Sequence, residues 1–168
     1  MGETLVLKNA PAVSAFASVV GQKEADGPLG RRFDAVETDA RAGQDSWEKA
    51  ESAMLRRAID MAAERAGGAP GCVLAGDLLN QCAGSAYAVR GVAAPFFGLY
   101  GACSTMAESL GLAALLVDGG YFESAAAATG SHFCSAERQF RYPLEYGGVR
   151  TPTAQWTVTG SGAALVRR

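Results

Sequence analysis

Cys72-Val73-Leu74-Ala75-Gly76 is apolar at every position and lies between Gly-Ala-Pro-Gly and Asp77. That pattern suits a strand buried on both faces of a sheet rather than one with a wet side. A strand of this kind needs helices above and below it. Upstream, Asp45-Ser46-Trp47-Glu48 sets an N-cap oxygen three residues before a Glu, the reciprocal capping arrangement, and opens a helix expected to reach about Arg65. Within it Trp47, Ala50, Met54, Ala58, Met61 and Ala62 recur at steps of three or four, while Lys49, Glu51, Arg56, Arg57 and Glu64 take the other face. Gly67-Gly68 stops it.

The alternation continues downstream. Pro95 to Tyr100 reads as a second buried strand, with room for two helical turns between Ser85 and Gly91. Ser104 to Val117 is nearly continuous in apolar residues, interrupted by Glu108 and Ser109, and is expected to be a central helix packed on most sides. Asp118-Gly119-Gly120 ends it. Ser124 to Thr129 is assigned to a third strand by its place in the order, although its alanines alone favour helix. Before all of this, Thr4 to Val20 carries one or two strands around Pro11, and Gly21 to Gly30 an ordered loop. After it come a long loop from Ser131 to Pro152 and two strands, Gln155 to Thr159 and Gly162 to Val166, joined as a hairpin at Gly160-Ser161. Strands alternating with helices imply right-handed crossovers and a largely parallel sheet covered on both sides, an α/β fold of βαβαβ type.

Composition narrows the function. A chain of 168 residues fits one domain, and 49% hydrophobic with 19% charged residues is the balance of a folded one. With 15 basic and 17 acidic residues and no Lys/Arg cluster interleaved with aromatics, nucleic acid is not expected as a partner. The longest apolar stretch, Leu110 to Val117, falls far short of the ~20 residues that cross a bilayer, and no signal peptide is legible. The four cysteines, Cys72, Cys82, Cys103 and Cys134, stand singly without ligand spacing, so neither a zinc site nor a disulfide scaffold is expected, and a reducing, cytoplasmic compartment suits them. No cofactor is expected.

Gly101-Ala102-Cys103-Ser104-Thr105 sets a cysteine between a strand and an apolar helix, where free N–H groups and the helix dipole favour a thiolate. Such a thiol is either a nucleophile or a small buried hydrophobe. Asp77 and Asn80 follow a strand at its carboxyl end, the edge where open α/β sheets bind ligands; both residue types also cap helices. His132 is the sole histidine and either lines a pocket or ties its own loop. Arg138, Arg141 and Tyr142 share a segment with Glu137 and Glu145, where the arginines either pair internally or clamp a carboxylate through two parallel hydrogen bonds.

The order strand, GACST, apolar helix, strand, polar segment and WTVTGSGAALV resembles the first half of the thiolase superfamily. Closer still, KEADGPLGRRFD, AGDLLNQ, YGACSTMAESL, SAERQFRYPLEYGG and TVTGSGA resemble the stage V sporulation protein AD family, in order and across the whole chain. That resemblance implies a thiolase-like fold of which residues 1–168 are the amino-terminal half, with a second α/β copy absent from this chain. It implies a sporulation protein that binds dipicolinic acid, a planar dicarboxylate, and supports its transport into and release from the spore within a membrane channel complex. Dipicolinate contacts are expected among Asp77, Asn80, Cys103, Thr105, His132, Arg138, Arg141 and Tyr142. Other stage V sporulation A-type membrane proteins are the implied partners, with a homodimer, and the implied location is cytoplasmic, peripheral to the inner membrane of the forespore or spore. Superfamily enzymes take the base for this cysteine from the second copy, and His132 does not stand where they keep a catalytic histidine. An acyltransferase or condensing enzyme using Cys103 as acyl acceptor stays open beside the binding role, as does a purely structural member of a membrane-docked complex.

Overall fold

The computed structural model describes residues 4–140, 153 and 155–168, with the last four residues of the helix over 133–140 given by backbone alone. In chain order the elements are β1 (Ala12–Gly21), α1 (Gln22–Ala25), β2 (Ala35–Glu37), α2 (Trp47–Arg65), β3 (Cys72–Gly76), α3 (Ala83–Ala88), β4 (Phe96–Gly98), α4 (Thr105–Asp118), β5 (Ser124–Ser131), α5 (Phe133–Phe140) and β6 (Gly160–Arg167). The six strands form one sheet in the order β2-β1-β6-β5-β3-β4. β1/β2, β3/β4 and β3/β5 pair in parallel, whereas β6 runs antiparallel to both neighbours, β1 and β5.

The fully apolar reading of β3 holds, since all five of its residues are buried. Its odd and even positions face different layers. Val73 and Ala75 join Leu55, Ile59 and Leu165 beneath α2, and Cys72 and Leu74 join Ala113, Val117 and Val166 beneath α4. Fully burying each Leu, Ile or Val of this kind stabilises by about 1.5–3 kcal/mol. The alanine run is indeed a strand, pairing with β3 from Cys72↔Ala125 to Gly76↔Thr129. Ala126 and Ala128 meet the α2 layer, Ala125 and Ala127 the α4 layer. Methyl side chains on both faces let two helices approach the same strand closely, so packing overrides the helical propensity of alanine.

Several expectations are corrected. α2 is capped by Ser46, whose Oγ accepts from the Lys49 N–H at 3.2 Å, so no Glu stands in the reciprocal position. Glu51, read on the polar face of that helix, is only 1% exposed. The carboxy-terminal hairpin is absent: residues 155–159 form no strand, and β6 runs straight through Gly160-Ser161-Gly162. α5 occupies the first part of the segment read as a long loop, whose remainder lies outside the described residues. α4 is not enclosed. Thr105, Ser109, Ala113 and Val117 bury one stripe at four-residue spacing, while Ala107, Glu108, Gly111, Leu112 and Leu115 are exposed. β4, read as a buried strand, is three residues long and lies at the sheet edge. No described helix is long and apolar enough to cross a membrane.

Candidate functional site

The sheet topology brings the carboxyl ends of β1, β3 and β5 and the amino end of β6 to one edge. A cavity of about 390 Å³ opens there, lined by residues of β1, β5 and β6 together with Asp77 and Leu78 after β3 and Ala102 and Cys103 before α4. This is the edge at which open α/β sheets gather ligands.

Cys103 sits in a single 3-10 turn, Ala102–Ser104, that leads into α4. Its side chain is exposed. The turn is held by the Ser104 N–H and Oγ, which both donate to the Gly101 carbonyl at 3.0 and 2.9 Å. Ala102 takes φ +47°, a conformation that costs an alanine about 1 kcal/mol or more. Ala102 and the exposed Cys103 both line the cavity. The strand that leads into this elbow is the edge strand β4 rather than a middle one.

Asp77 forms the wall beside it. The residue is 6% exposed; its Oδ1 accepts from the Leu79 N–H at 2.8 Å, and its Oδ2 accepts from the Ser85 N–H and Oγ, each at 2.6 Å. Three donors suit an ionised carboxylate, which accepts only. The first of these bonds closes the turn after β3, and the others satisfy an otherwise free N–H in the first turn of α3. Asp77 is thus both a structural tie and a cavity residue. Gln81 and Cys82 follow it with φ of +61° and +51°. Asn80 lines an adjoining hollow of about 330 Å³ shared with Asp77, Cys82 and Tyr100. Burial first, then the Asp77 carboxylate, pushes the Cys82 thiol up, and its Sγ lies 3.1 Å from the Leu99 carbonyl oxygen.

The remaining expected site residues do not converge on this cavity. Thr105 is fully buried beneath it, with its Oγ1 unpartnered and its methyl group against Gly76. His132 is 1% exposed and belongs to a separate hollow of about 240 Å³ lined by Glu24, Trp156 and Thr159. Its Nε2 lies 2.7 Å from the Ala40 carbonyl oxygen and its Nδ1 accepts from the Cys134 N–H at 3.1 Å, which fixes a neutral ring protonated at Nε2. Burial holds its pKa below the ordinary value against the opposing Ala40 hydrogen bond, and the ring packs on Trp47 with centroids 5.5 Å apart. His132 thus ties its own segment through Cys134 and the distant Ala40 carbonyl while also lining that separate hollow. Arg141 and Tyr142 lie outside the described residues, as does the side chain of Arg138.

Sequence reasoning missed Ser161. It is 6% exposed, lines the cavity and has a buried Oγ without a hydrogen-bond partner. The space it occupies depends on Gly130, where an added Cβ would stand 2.7 Å from that Oγ. The legible signal was the Gly160-Ser161-Gly162 triplet, a small residue on either side of a hydroxyl. Gly162 also lines the cavity, and a Cβ built on it meets nothing within 4 Å. Chemically the arrangement offers a thiol, a carboxylate and a hydroxyl around one cavity, and no basic side chain from the described residues.

Comparison with known proteins agrees with this geometry. Among solved structures, 3-oxoacyl-(acyl carrier protein) synthase III from Pseudomonas aeruginosa PAO1 superposes with a TM-score of 0.59 at 16% identity, over 95% of this chain and 52% of that one. A variant of OleA from Xanthomonas campestris gives 0.63 at 14% identity, over 99% of this chain and 60% of that one. These likenesses establish the thiolase-like fold. The curated Stage V sporulation protein AD of Bacillus subtilis (strain 168) is 43% identical over 167 residues, which are 98% of this chain and 49% of the relative. The chain therefore spans about half the length of the curated relative it matches. A family model described as Stage V sporulation protein AD matches residues 2–168, and the chain belongs to that family.

Proposed function

We propose that this sporulation protein uses its thiolase-like scaffold to bind dipicolinic acid in the cavity at Cys103, and that binding serves the movement of the ligand into and out of the spore through a membrane channel complex. The observation that carries the reading is the separation of Cys103 from His132. The imidazole is buried in a different hollow with both nitrogens engaged. Among the described residues no imidazole faces this thiol, and a thiol so placed serves better to shape and line a cavity than to attack a carbonyl. A cavity of about 390 Å³ suits a small planar ligand, and Cys103 and Ser161 line it. In the assembled protein Arg138 and Arg141 are candidates to neutralise the two carboxylates through bidentate pairs. Peripheral attachment to the inner membrane, contact with other stage V sporulation A-type proteins and a homodimer belong to this proposal. The test is calorimetric titration of the full-length protein with dipicolinate. A saturable isotherm is expected, and heats no larger than dilution would defeat the reading.

A second reading is favoured by the strained elbow and by the solved structures of condensing enzymes that share the fold: an acyltransferase in which Cys103 accepts an acyl group from a thioester. Incubating full-length protein with acyl-coenzyme A and measuring the intact mass separates the two. Acyl mass on Cys103 supports the enzyme.

A further inference from the structure

We propose that Glu51 makes anion binding in the Cys103 cavity proton-dependent: neutral Glu51 leaves Asp77 as the one buried charge of that wall, and ionised Glu51 sets a second negative charge behind it. The proposal rests on the ligand-binding reading above.

The two carboxyl groups differ in the donors they meet. Ser135 Oγ lies 2.5 Å from Glu51 Oε2 and 3.0 Å from the His132 carbonyl oxygen. A serine hydroxyl has one hydrogen, and a carbonyl has none. The single Ser135 hydrogen is therefore shared between the Glu51 carboxyl and the His132 carbonyl, so Ser135 satisfies an ionised Glu51 only in part. Asp77 shows the opposite pattern, three donors and no acceptor. Of the two carboxyl groups Glu51 is the poorer in donors, with Oε1 unpartnered, and it is the one that gains more from a proton.

The two carboxyl groups flank Gly84. A Cβ built there would lie 3.1 Å from Asp77 Cγ and 3.1 Å from Glu51 Oε1. Glu51 Oε1 is buried without a partner. The charges acting on Glu51 are Asp77, from the turn after β3, and Glu48, one turn earlier in α2, both negative. From α5 comes the Ser135 hydroxyl and from the start of that segment the His132 backbone; the imidazole of His132 is spent on Ala40. α3 contributes Gly84, and its Ser85 is engaged by Asp77. Burial foremost, with the Asp77 and Glu48 carboxylates adding to it and Ser135 opposing, raises Glu51 from 4.5 to about 7. An anion entering beside Asp77 raises the proton affinity of Glu51 further, so binding above that pH draws one proton from solvent onto Glu51.

Full-length protein is titrated with dipicolinate at about pH 6 and about pH 8, as wild type and as Glu51→Gln, whose amide keeps a donor toward Ser135. Wild type is expected to bind several-fold more weakly at the higher pH, and Glu51→Gln to bind alike at both, near the wild-type low-pH value. An equal pH ratio in the two proteins overturns the switch while leaving the ligand reading intact; no heat from either protein at either pH defeats the ligand reading itself. Infrared difference spectra of the free proteins supply an independent readout. A protonated carboxyl band lost between the two pH values in wild type and absent from Glu51→Gln is expected, and wild type lacking such a band overturns the proton assignment.

Discussion

Cys103 and His132 open into separate hollows, the first shared with Asp77 and Ser161, the second with Glu24 and Trp156. The exposed thiol and the sole histidine are thus not a catalytic pair within this chain. His132→Ala should leave the rate of Cys103 alkylation by iodoacetamide unchanged. It should lower stability by about 1–3 kcal/mol, because the Ala40 carbonyl loses its donor and Trp47 loses a ring contact. A several-fold fall in alkylation rate, followed by mass spectrometry of the Cys103 peptide, would show that the imidazole reaches the thiol.

Glu51 also predicts how folding stability depends on pH. Its carboxyl is raised from 4.5 to about 7 in the folded chain, so the folded state holds its proton more tightly than the unfolded state does. The stabilisation is complete below about pH 4.5, declines as the pH rises toward about 7, and is gone above it, with a span of roughly 3 kcal/mol. His132, shifted the other way by burial, makes stability rise with pH toward its ordinary value, and this trend is common to wild type and Glu51→Gln. The difference between the two proteins in denaturant midpoint should therefore follow Glu51 alone. Parallel curves from acid to neutral pH would contradict a protonated Glu51.

Two glycines at the same sheet edge should respond to alanine in opposite ways. A Cβ on Gly76 would stand 2.2 Å from the Leu99 carbonyl oxygen and 2.9 Å from Thr105 Cγ2, so β3, β4 and the start of α4 would have to separate. Gly76→Ala should cost several kcal/mol, on the order of the largest core substitutions. On Gly162 the same methyl meets nothing and points into free space beside the cavity. Gly162→Ala should keep the melting temperature or raise it slightly, since alanine loses less backbone freedom on folding. Its effect should fall on the ligand, with weaker dipicolinate binding by the full-length protein. Equal melting temperatures for the two variants would show that the close approach at Gly76 is not held in solution.

The layered order of the fold was legible because each buried strand and each capped helix carries its own periodic pattern. β3, α2 and the alanine strand β5 stand where pattern and alternation set them. The errors share a physical origin: local pattern reports which residues are apolar, not which neighbours are present to cover them. α4 is apolar nearly all round, yet only Thr105, Ser109, Ala113 and Val117 find partners. Glu51 reads as solvent-facing from charge alone, and only the meeting of α2, α3 and α5 shows that it is enclosed. The site was half legible. Asp77 follows β3 directly and Cys103 sits in the turn before α4, positions that local pattern picks out and that line the cavity, whereas Ser161 and the separation of His132 depend on the antiparallel insertion of β6 between β1 and β5, which no local pattern announces.

The uncovered side of α4 yields the last prediction. Leu112 and Leu115 are 36% and 40% exposed on adjacent turns, with Ala107 and Gly111 beside them, whereas the buried stripe points to the sheet. An apolar strip of this kind on a small folded unit favours association, because covering it removes hydrocarbon from water at about 25 cal/mol per Å². The 168-residue chain should therefore self-associate with rising concentration in sedimentation velocity. Substituting Leu112→Glu together with Leu115→Lys should abolish that association while shifting unfolding free energy by no more than about 0.5 kcal/mol, since neither side chain is part of the core beneath α4. Loss of the fold in the double variant would mean that these leucines are packed within the unit, and unchanged association would move the sticky surface elsewhere, with the exposed Phe97, Tyr100 and Tyr121 the next to test.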